Sequence, residues 1–389
     1  MDLIGIYRQP VSRTKLIITT LLVTLCIPGI TEAVSLPPPT GPYHVGVRKY
    51  AIEYYNDHDP VAPNNVSTAF LATIFYPTSQ KPEGAPKPYL NPETAAYFEQ
   101  NWHYSNGTLS SITWIVQEDA PFLEPKSAAD GPLRLPTILF GPGGGGPPVE
   151  GNTILLSELA SHGYAIIGID HPFEQPFIRY PNGTGVTGIN LDNVDIDLVD
   201  IYNMRLGDNS VFLKDHLPDF GRKLPLNTTK LGAFGYSLGG AAALGSLQSH
   251  GQIVSGLNLD GTLIGNPALN SSAADERKPA FLIGSQGHGS SGTGDNTWVT
   301  FPQWQTDWHR KININGTTHH DFFDDTFWKT LEVGADPHAG PIDGLEQVRI
   351  LNAYVKAFFD FTLLGKTSAL LDGPSSEFPG VVFSSVADL

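Results

Sequence analysis

Short apolar runs separated by longer mixed segments make up most of the chain after residue 135. The runs are LPTILF (135–140), YAIIGID (164–170), KLGAFGY (230–236), GLNLD (256–260) and PAFLIGS (279–285). Strands that are apolar at nearly every position are typical of a parallel sheet covered on both faces. The segments that separate or follow them have a helical pattern at 152–162, 194–217, 238–250 and 342–363. This alternation predicts an α/β fold with right-handed crossover connections.

The first part of the chain has a different pattern. Residues 49–55 and 68–77 are rich in β-branched and aromatic residues, which predicts an opening hairpin of two strands. Residues 78–132 hold many Pro, Asn, Ser and Gly and are predicted to form an irregular insertion with short helices. No linker divides residues 34–389, so we expect a single domain. A Gly-rich and Trp-rich stretch, 286–310, is a possible lid loop, although aromatic residues such as these more often pack in the core or in a loop than form a substrate wall.

Residues 1–33 have the pattern of a secretory signal peptide. Three basic residues precede the apolar stretch 16–27, and small residues end the segment at Ala33. The apolar stretch is shorter than the roughly 20 residues that span a bilayer. The sequence therefore predicts a secreted protein without a transmembrane anchor.

Cysteine content and charge exclude several classes of function. Cys26 is the single cysteine and lies in the predicted leader, so disulfides, thiolate metal sites and a cysteine nucleophile are not expected in the mature chain. The formal charge of −16 disfavours nucleic acid and anionic membrane surfaces. The glycine run 143–146 is followed by Pro147 and Pro148, where a phosphate-binding loop needs Gly-Lys-Ser/Thr. We therefore predict no cofactor and no nucleic-acid partner. The sequence does not reveal the oligomeric state.

Six Asn-x-Ser/Thr sequons accompany the predicted leader. They begin at Asn65, Asn106, Asn182, Asn227, Asn270 and Asn315. Such sequons are acceptors for N-linked glycans in a eukaryotic secretory pathway. The sequence therefore predicts a glycoprotein, although a glycan on Asn315 would crowd the base proposed below.

A candidate nucleophile lies in the sequence Gly235-Tyr236-Ser237-Leu238-Gly239. The G-x-S-x-G pattern alone is weak in a chain with 41 glycines. Here, however, an apolar strand leads into it and a run of small residues leaves it, as at a strand-to-helix elbow. Such an elbow needs glycine on both sides, because larger side chains would collide. We predict that Ser237 is the nucleophile of a serine hydrolase.

A serine hydroxyl needs an imidazole to accept its proton and a carboxylate to orient that imidazole. In α/β-hydrolases these groups follow in the order serine, acid, histidine. The histidines that follow Ser237 are His288, His309, His319, His320 and His338. His319 and His320 lie in a loop after a predicted final strand, and His288 is the runner-up. The alternative for His319 and His320 is a surface pair or a metal-binding pair. No H-E-x-x-H pattern supports a metal, so we predict none.

Asp260 is the predicted acid. It ends the strand that follows the nucleophile, and the carboxyl ends of parallel strands are where such sheets place their chemistry. The next strand end, 284–288, contains no carboxylate. For the oxyanion hole, we predict the backbone N–H of Leu238 and that of Gly143 or Gly144, since Pro142 has no N–H.

Several segments resemble a known family. They are LPTILFGPGGG, ELASHGYAIIGIDHP, Arg205 with Asp208 and Val211-Phe212-Leu213, GAFGYSLGG, GLNLDG and GTTHHDFFD. Together they are similar to the platelet-activating factor acetylhydrolases, or group VII phospholipases A2, of the α/β-hydrolase fold. The resemblance implies a mostly parallel central sheet with helices on both faces and a triad of Ser237, Asp260 and His319. It also implies an oxyanion hole formed by the amides of Gly144 and Leu238. Pro142 and Tyr236 depart from the family pattern, which has histidine at both positions.

The sequence thus predicts a serine esterase that cleaves carboxylic esters through an acyl-enzyme. The resemblance implies phospholipids with short or oxidised acyl groups, and the glycine-rich loop would equally suit small alkyl or aryl esters. One alternative is a hydrolase or acyltransferase that tailors a secondary metabolite or a polyester. Another is a non-catalytic binding protein with the same fold.

Overall fold

A large mixed sheet forms the centre of the computed structural model, which describes residues 34–124, 133–290 and 294–384. The predicted leader, 1–33, lies outside these described residues. The described strands are β1 (His44–Asn56), β2 (Ser67–Thr78), β3 (Lys87–Pro88), β4 (Thr113–Trp114), β5 (Gln117–Glu118), β6 (Leu135–Gly141), β7 (Ala165–Asp170), β8 (Phe177–Arg179), β9 (Gly185–Thr187), β10 (Leu226–Tyr236), β11 (Ile253–Leu259), β12 (Ala280–Gly284), β13 (His309–Ile314) and β14 (Val381–Phe383). The α-helices are α1 (Pro92–Asn101), α2 (Thr153–Ser161), α3 (Leu198–Val211), α4 (Leu217–Lys223), α5 (Leu238–Ser249), α6 (Thr297–Trp304), α7 (Asp325–Trp328) and α8 (Gly344–Leu364).

The order of the strands places a switch point next to β10. Within the described residues, ten strands form the sheet in the order β14-β13-β12-β11-β10-β6-β7-β2-β1-β5. The chain moves from β6 to β7 on one side and then returns to β10 on the other side of β6. The strands from β7 through β6, β10, β11 and β12 to β13 are parallel. In open α/β sheets the ligand site lies at the carboxyl ends of the strands at such a reversal.

Helices cover both faces of the sheet, as the continuous apolar strands predict. Successive residues of β10 enter different cores: Ala233 packs with residues of α5, whereas Phe234 packs with residues of α2 and α8. Both faces of the strand are therefore dry, which explains why its sequence does not alternate between apolar and polar residues. The α/β-hydrolase fold predicted from the sequence is confirmed.

The predicted opening hairpin is present as the antiparallel pair β1 and β2. The predicted single helix 194–217 is wrong at both ends. Helix α3 begins at Leu198 because the side chain of Asp197 accepts a hydrogen bond from Val199 N at 2.9 Å and caps the helix. A π-helical turn, Phe212–His216, then leads into α4, which tolerates Pro218 because it lies in the first turn.

The two irregular segments contain regular structure. The insertion 78–132 holds β3, β4, β5 and α1, and its residues 125–132 lie outside the described part. The segment 286–310 holds α6, in which Trp298 and Phe301 are buried, so this stretch of the possible lid is built into the core. None of the helices in the described ranges is both long and apolar enough to cross a membrane.

Candidate active site

Ser237 occupies a sharp turn between β10 and α5. Its φ is 54°, in the left-handed region that non-glycine residues adopt only where the surroundings hold them. Two backbone contacts hold it here. The Ser237 N–H donates to Leu259 O at 2.8 Å, and the Ser237 carbonyl accepts from Gly240 N at 2.9 Å. The turn lifts the hydroxyl to the carboxyl edge of the sheet.

The two glycines of the motif are required by close approach of backbone. A Cβ on Gly235 would lie 2.3 Å from the carbonyl carbon of Gly239. A Cβ on Gly239 would lie 2.0 Å from the carbonyl oxygen of Gly141 at the end of β6. Because each obstacle is backbone, it cannot be moved by a change of rotamer, and the motif therefore packs α5 directly against β10 and β6.

Ser237, His319 and Asp260 form a continuous chain of contacts. His319 Nε2 lies 2.9 Å from Ser237 Oγ, and His319 Nδ1 lies 2.7 Å from Asp260 Oδ2. A carboxylate can only accept, so Nδ1 carries the proton and Nε2 is free to accept one from the serine hydroxyl. The side chain of His319 is 46 % exposed, whereas that of Asp260 is 2 % exposed. The structure thus brings together the three residues predicted from the sequence, with the serine and imidazole open to a substrate.

The pKa of Asp260 is set by two opposing effects. Burial alone would raise it, but hydrogen bonds from His288 and His319 outweigh burial and lower the pKa to about 2. Asp260 also accepts from Ser285 N at 2.6 Å. Asp260 is therefore an anion across the physiological range of pH and can orient the imidazole throughout it.

The ring of Tyr236 packs beside the imidazole of His319. The two ring centroids are 4.9 Å apart with planes inclined by 36°. Phe323, in the segment that follows His319, also contacts Tyr236, at 5.2 Å between ring centroids. The tyrosine that precedes the nucleophile therefore restricts the rotation of the imidazole.

A buried arginine fixes the predicted oxyanion loop. Arg205 on α3 donates to the carbonyl of Pro142 and, at 2.9 Å, to that of Gly143. In a trans peptide the C=O of one residue and the N–H of the next point to opposite sides. By holding these two carbonyls, Arg205 directs the N–H groups of Gly143 and Gly144 to the other side of the loop.

The rest of the predicted oxyanion hole comes from the helix start. Leu238 is the first residue of α5, and its N–H is one of the donors that a helix leaves without an intrahelical acceptor. Gly144 lies beside it, since a Cβ on Gly144 would be 3.2 Å from a methyl carbon of Leu238. The carboxylate of Glu174 balances Arg205, and both side chains are essentially fully buried. Sequence reasoning did not identify Glu174 and reached Arg205 only through the family resemblance.

His320 is directed away from Ser237. Its Nδ1 lies 2.5 Å from Asp336 Oδ2, and its ring packs on Trp102. His320, Asp325 and Asp336 each offer a ligand atom within 4.8 Å of the others, an arrangement that a metal ion could use. Tyr104 already donates to Asp325 Oδ1 at 2.6 Å, so protein groups account for part of this cluster. The choice between the two adjacent histidines therefore favours His319, and the absence of a metal stays a prediction.

His288, the runner-up for the base, lies on the far side of Asp260. Its Nδ1 is 2.6 Å from Asp260 Oδ1, and its Nε2 is 2.9 Å from Asp295 Oδ2. Both ring nitrogens are thus engaged by carboxylates, and neither faces the serine. Asp295 was not identified from the sequence, because it lies in a Gly/Ser-rich segment without a periodic pattern.

A strained elbow serine, an imidazole directed at it and a buried carboxylate, placed at the switch point of this sheet, define a serine hydrolase of the α/β-hydrolase fold. No family model matches the chain.

Two comparisons with known proteins agree with this class. The chain is 24 % identical, over 94 % of its length and 98 % of the relative, to a probable 1-alkyl-2-acetylglycerophosphocholine esterase of Arthroderma benhamiae. This relative confirms the resemblance to the platelet-activating factor acetylhydrolases predicted from the motifs. The fold is also that of a ferulic acid esterase from Streptomyces cinnamoneus, with a TM-score of 0.77, 24 % identity and coverage of 91 % of this chain and 100 % of that one. The protein is a carboxylic ester hydrolase.

Proposed function

We propose that the protein is a secreted serine esterase in which Ser237 is the nucleophile, His319 the general base and Asp260 the residue that orients the base. The observation that carries this proposal is the unbroken series of contacts from Ser237 Oγ through His319 to Asp260, at 2.9 and 2.7 Å. These are the contacts that proton transfer from the serine requires.

In the first half of the reaction, Ser237 Oγ attacks the ester carbonyl carbon while its proton passes to His319 Nε2. The carbonyl oxygen becomes an oxyanion that accepts hydrogen bonds from the N–H groups of Leu238 and Gly144, with Gly143 as the neighbouring donor. The tetrahedral intermediate then loses the alcohol, which takes the proton from His319. The products are the free alcohol and an acyl group on Ser237.

In the second half, water replaces the alcohol. His319 takes a proton from the water, the resulting hydroxide attacks the acyl carbon, and the same N–H groups stabilise the second oxyanion. The ester bond to Ser237 breaks, the serine recovers its proton from His319, and the carboxylic acid leaves. Asp260 stays ionised in both halves and stabilises the imidazolium that forms between them.

The first substrate class to test is a phospholipid with a short acyl group at the sn-2 position. It is supported by similarity, along nearly the whole chain, to a relative named for a 2-acetyl glycerophosphocholine. Small alkyl and aryl esters are the second class, because the loop 143–146 carries no side chains beyond hydrogen at the oxyanion site. The predicted leader supports secretion, and five of the six sequon asparagines are exposed.

A substrate panel tests the proposal. We expect wild-type protein to hydrolyse p-nitrophenyl acetate and butyrate faster than octanoate, and a 2-acetyl phospholipid faster than a long-chain one. Ser237→Ala should lose this activity by several orders of magnitude. Ser249→Ala, at the exposed far end of α5, is the matched control and should leave it unchanged. Activity on simple esters alone would reject the phospholipid assignment, and Ser237→Ala with full activity would reject the mechanism.

A further inference from the structure

His288 carries a positive charge that its geometry requires. A neutral imidazole has one N–H and one acceptor nitrogen, and a carboxylate has no hydrogen to donate. His288 presents Nδ1 to Asp260 at 2.6 Å and Nε2 to Asp295 at 2.9 Å. Both nitrogens must therefore donate, which makes the ring an imidazolium held between two anions.

The surroundings fix this cation in place. Its ring stacks on the indole of Trp298 with centroids 4.1 Å apart and planes inclined by 20°. The indole N–H of Trp298 donates to Gly261 O, next to Asp260, at 2.7 Å. Asp295 is held in turn by the backbone N–H and hydroxyl of Thr297, at 2.9 and 2.6 Å. The His288 side chain is only 12 % exposed, so solvent screens its charge poorly.

The other charged groups around His288 are consistent with a positively charged ring. On the β13 side, Lys311 Nζ donates to Gly289 O at 2.7 Å, and burial lowers its pKa. On the active-site side, His319 shares Asp260 through the opposite carboxylate oxygen. Burial by itself would lower the pKa of His288, but its hydrogen bonds to Asp260 and Asp295 raise it to about 9.

We propose that His288 is a positioning residue for the triad, which as a fixed cation on Oδ1 of Asp260 holds this carboxylate in place and directs Oδ2 to His319. The inference rests on the proposed role of Ser237, Asp260 and His319. The backbone N–H of Ser285 also donates to Oδ1, so loss of the His288 proton removes one of the donors that hold this oxygen. Activity should therefore fall as His288 loses its proton at about pH 9.

The test is the pH profile of kcat/KM for p-nitrophenyl acetate in a neutral variant. His288→Gln retains a hydrogen-bond donor but has no group that titrates near pH 9, so we expect the alkaline fall of the wild-type profile to be absent from this variant. His58→Gln is the matched control, because His58 pairs with Asp57 at 2.6 Å on the exposed surface, and its profile should coincide with that of the wild type. An alkaline limb that is unchanged in folded His288→Gln would overturn the proposal.

A second variant and a spectroscopic measurement cover the case in which His288→Gln does not fold. Asp295→Asn keeps the imidazole but removes one of its two anions, so His288 should lose its charge nearer neutral pH and the alkaline limb should move to lower pH. NMR titration of the ring nitrogens of wild-type protein should show one histidine that stays charged to about pH 9 and is missing in either variant. If the resonances of His288 show a neutral ring at pH 7, the positive charge assigned to His288 is wrong. A wild type without esterase activity but with this resonance would instead reject the proposed function.

Discussion

Asp260 and His319 lie 59 residues apart in sequence, and their side chains meet at 2.7 Å at the carboxyl edge of the sheet. Asp260 adopts a φ of 54° directly after β11, and this turn directs its carboxylate sideways toward the end of β13. The contact therefore depends on the parallel register of three strands, β11, β12 and β13, and on one unusual backbone conformation.

Replacement of Asp260 tests that contact. Asp260→Asn keeps the size of the side chain but removes the charge that fixes the tautomer of His319. We expect kcat/KM to fall by about 10⁴-fold, the size of effect found when the orienting carboxylate of a serine triad is neutralised. Steady-state kinetics on p-nitrophenyl acetate measure it, with circular dichroism to check the fold. A loss of less than tenfold would contradict the orienting role.

Arg205 provides a test of the oxyanion loop. Arg205→Met should lower kcat by about 10²-fold, because the carbonyls of Pro142 and Gly143 lose their donor and the neighbouring N–H groups lose their direction. It should also cost about 3–5 kcal/mol of unfolding free energy, since Glu174 becomes a buried unpaired anion.

The double variant Arg205→Met/Glu174→Gln separates the two effects. Neutralising Glu174 should restore much of the stability but not the kcat, measured by urea unfolding and by steady-state kinetics. Recovery of kcat together with stability would show that Arg205 acts only through the fold.

The glycine motif makes a prediction about stability. Gly239→Ala places a Cβ 2.0 Å from the backbone oxygen of Gly141, and we expect it to lower the free energy of unfolding by about 3 kcal/mol. Gly251→Ala is the control, because a Cβ there meets no atom within 4 Å. Equal stability of the two variants in urea unfolding would contradict the close backbone packing between Gly239 and Gly141.

The charge on His288 predicts a dependence of stability on pH. Its pKa is raised to about 9 in the folded protein, above the ordinary value of 6.5. The stabilisation that it supplies is therefore complete below pH 6.5 and is lost as the pH rises through 9. Thermal unfolding should show a Tm that declines between pH 7 and 10 in the wild type and declines less in His288→Gln. Parallel curves for the two proteins would contradict this coupling.

The sequons can be ranked by exposure. Asn65, Asn106, Asn182, Asn270 and Asn315 are exposed, whereas Asn227 is half-buried at the start of β10 and its side-chain oxygen accepts from Lys230 N at 3.0 Å. We expect glycans on Asn65, Asn106, Asn182 and Asn270, and none on Asn227 or on Asn315, where a glycan would crowd His319. Peptide mapping of protein expressed through a secretory pathway, with and without enzymatic deglycosylation, measures occupancy. Full occupancy of Asn227 would contradict the ranking.

Most of the sheet strands, and the meeting of Ser237, Asp260 and His319, could be predicted from the sequence because local patterns mark them. Apolar runs mark β6, β7, β10, β11 and β12, and the elbow glycines are contiguous with Ser237. The choice of Asp260 followed from its position at a strand end. The bridge from Asp260 through His288 to Asp295 could not be predicted, because it depends on how a segment without periodicity folds onto Trp298. Arg205 lies on α3, whereas its partners Glu174, Pro142 and Gly143 lie in two loops that are distant in sequence. No local pattern therefore joins these residues.

Covalent labelling of Ser237 tests the central claim most directly. Protein treated with a fluorophosphonate probe and digested should carry one adduct, on the peptide containing Ser237, with loss of esterase activity in proportion to labelling. Ser237→Ala should remain unlabelled, and His319→Gln should label far more slowly because the serine has lost its base. An unlabelled wild-type protein, or an adduct on another residue that accounts for the lost activity, would contradict the assignment of Ser237 as the nucleophile.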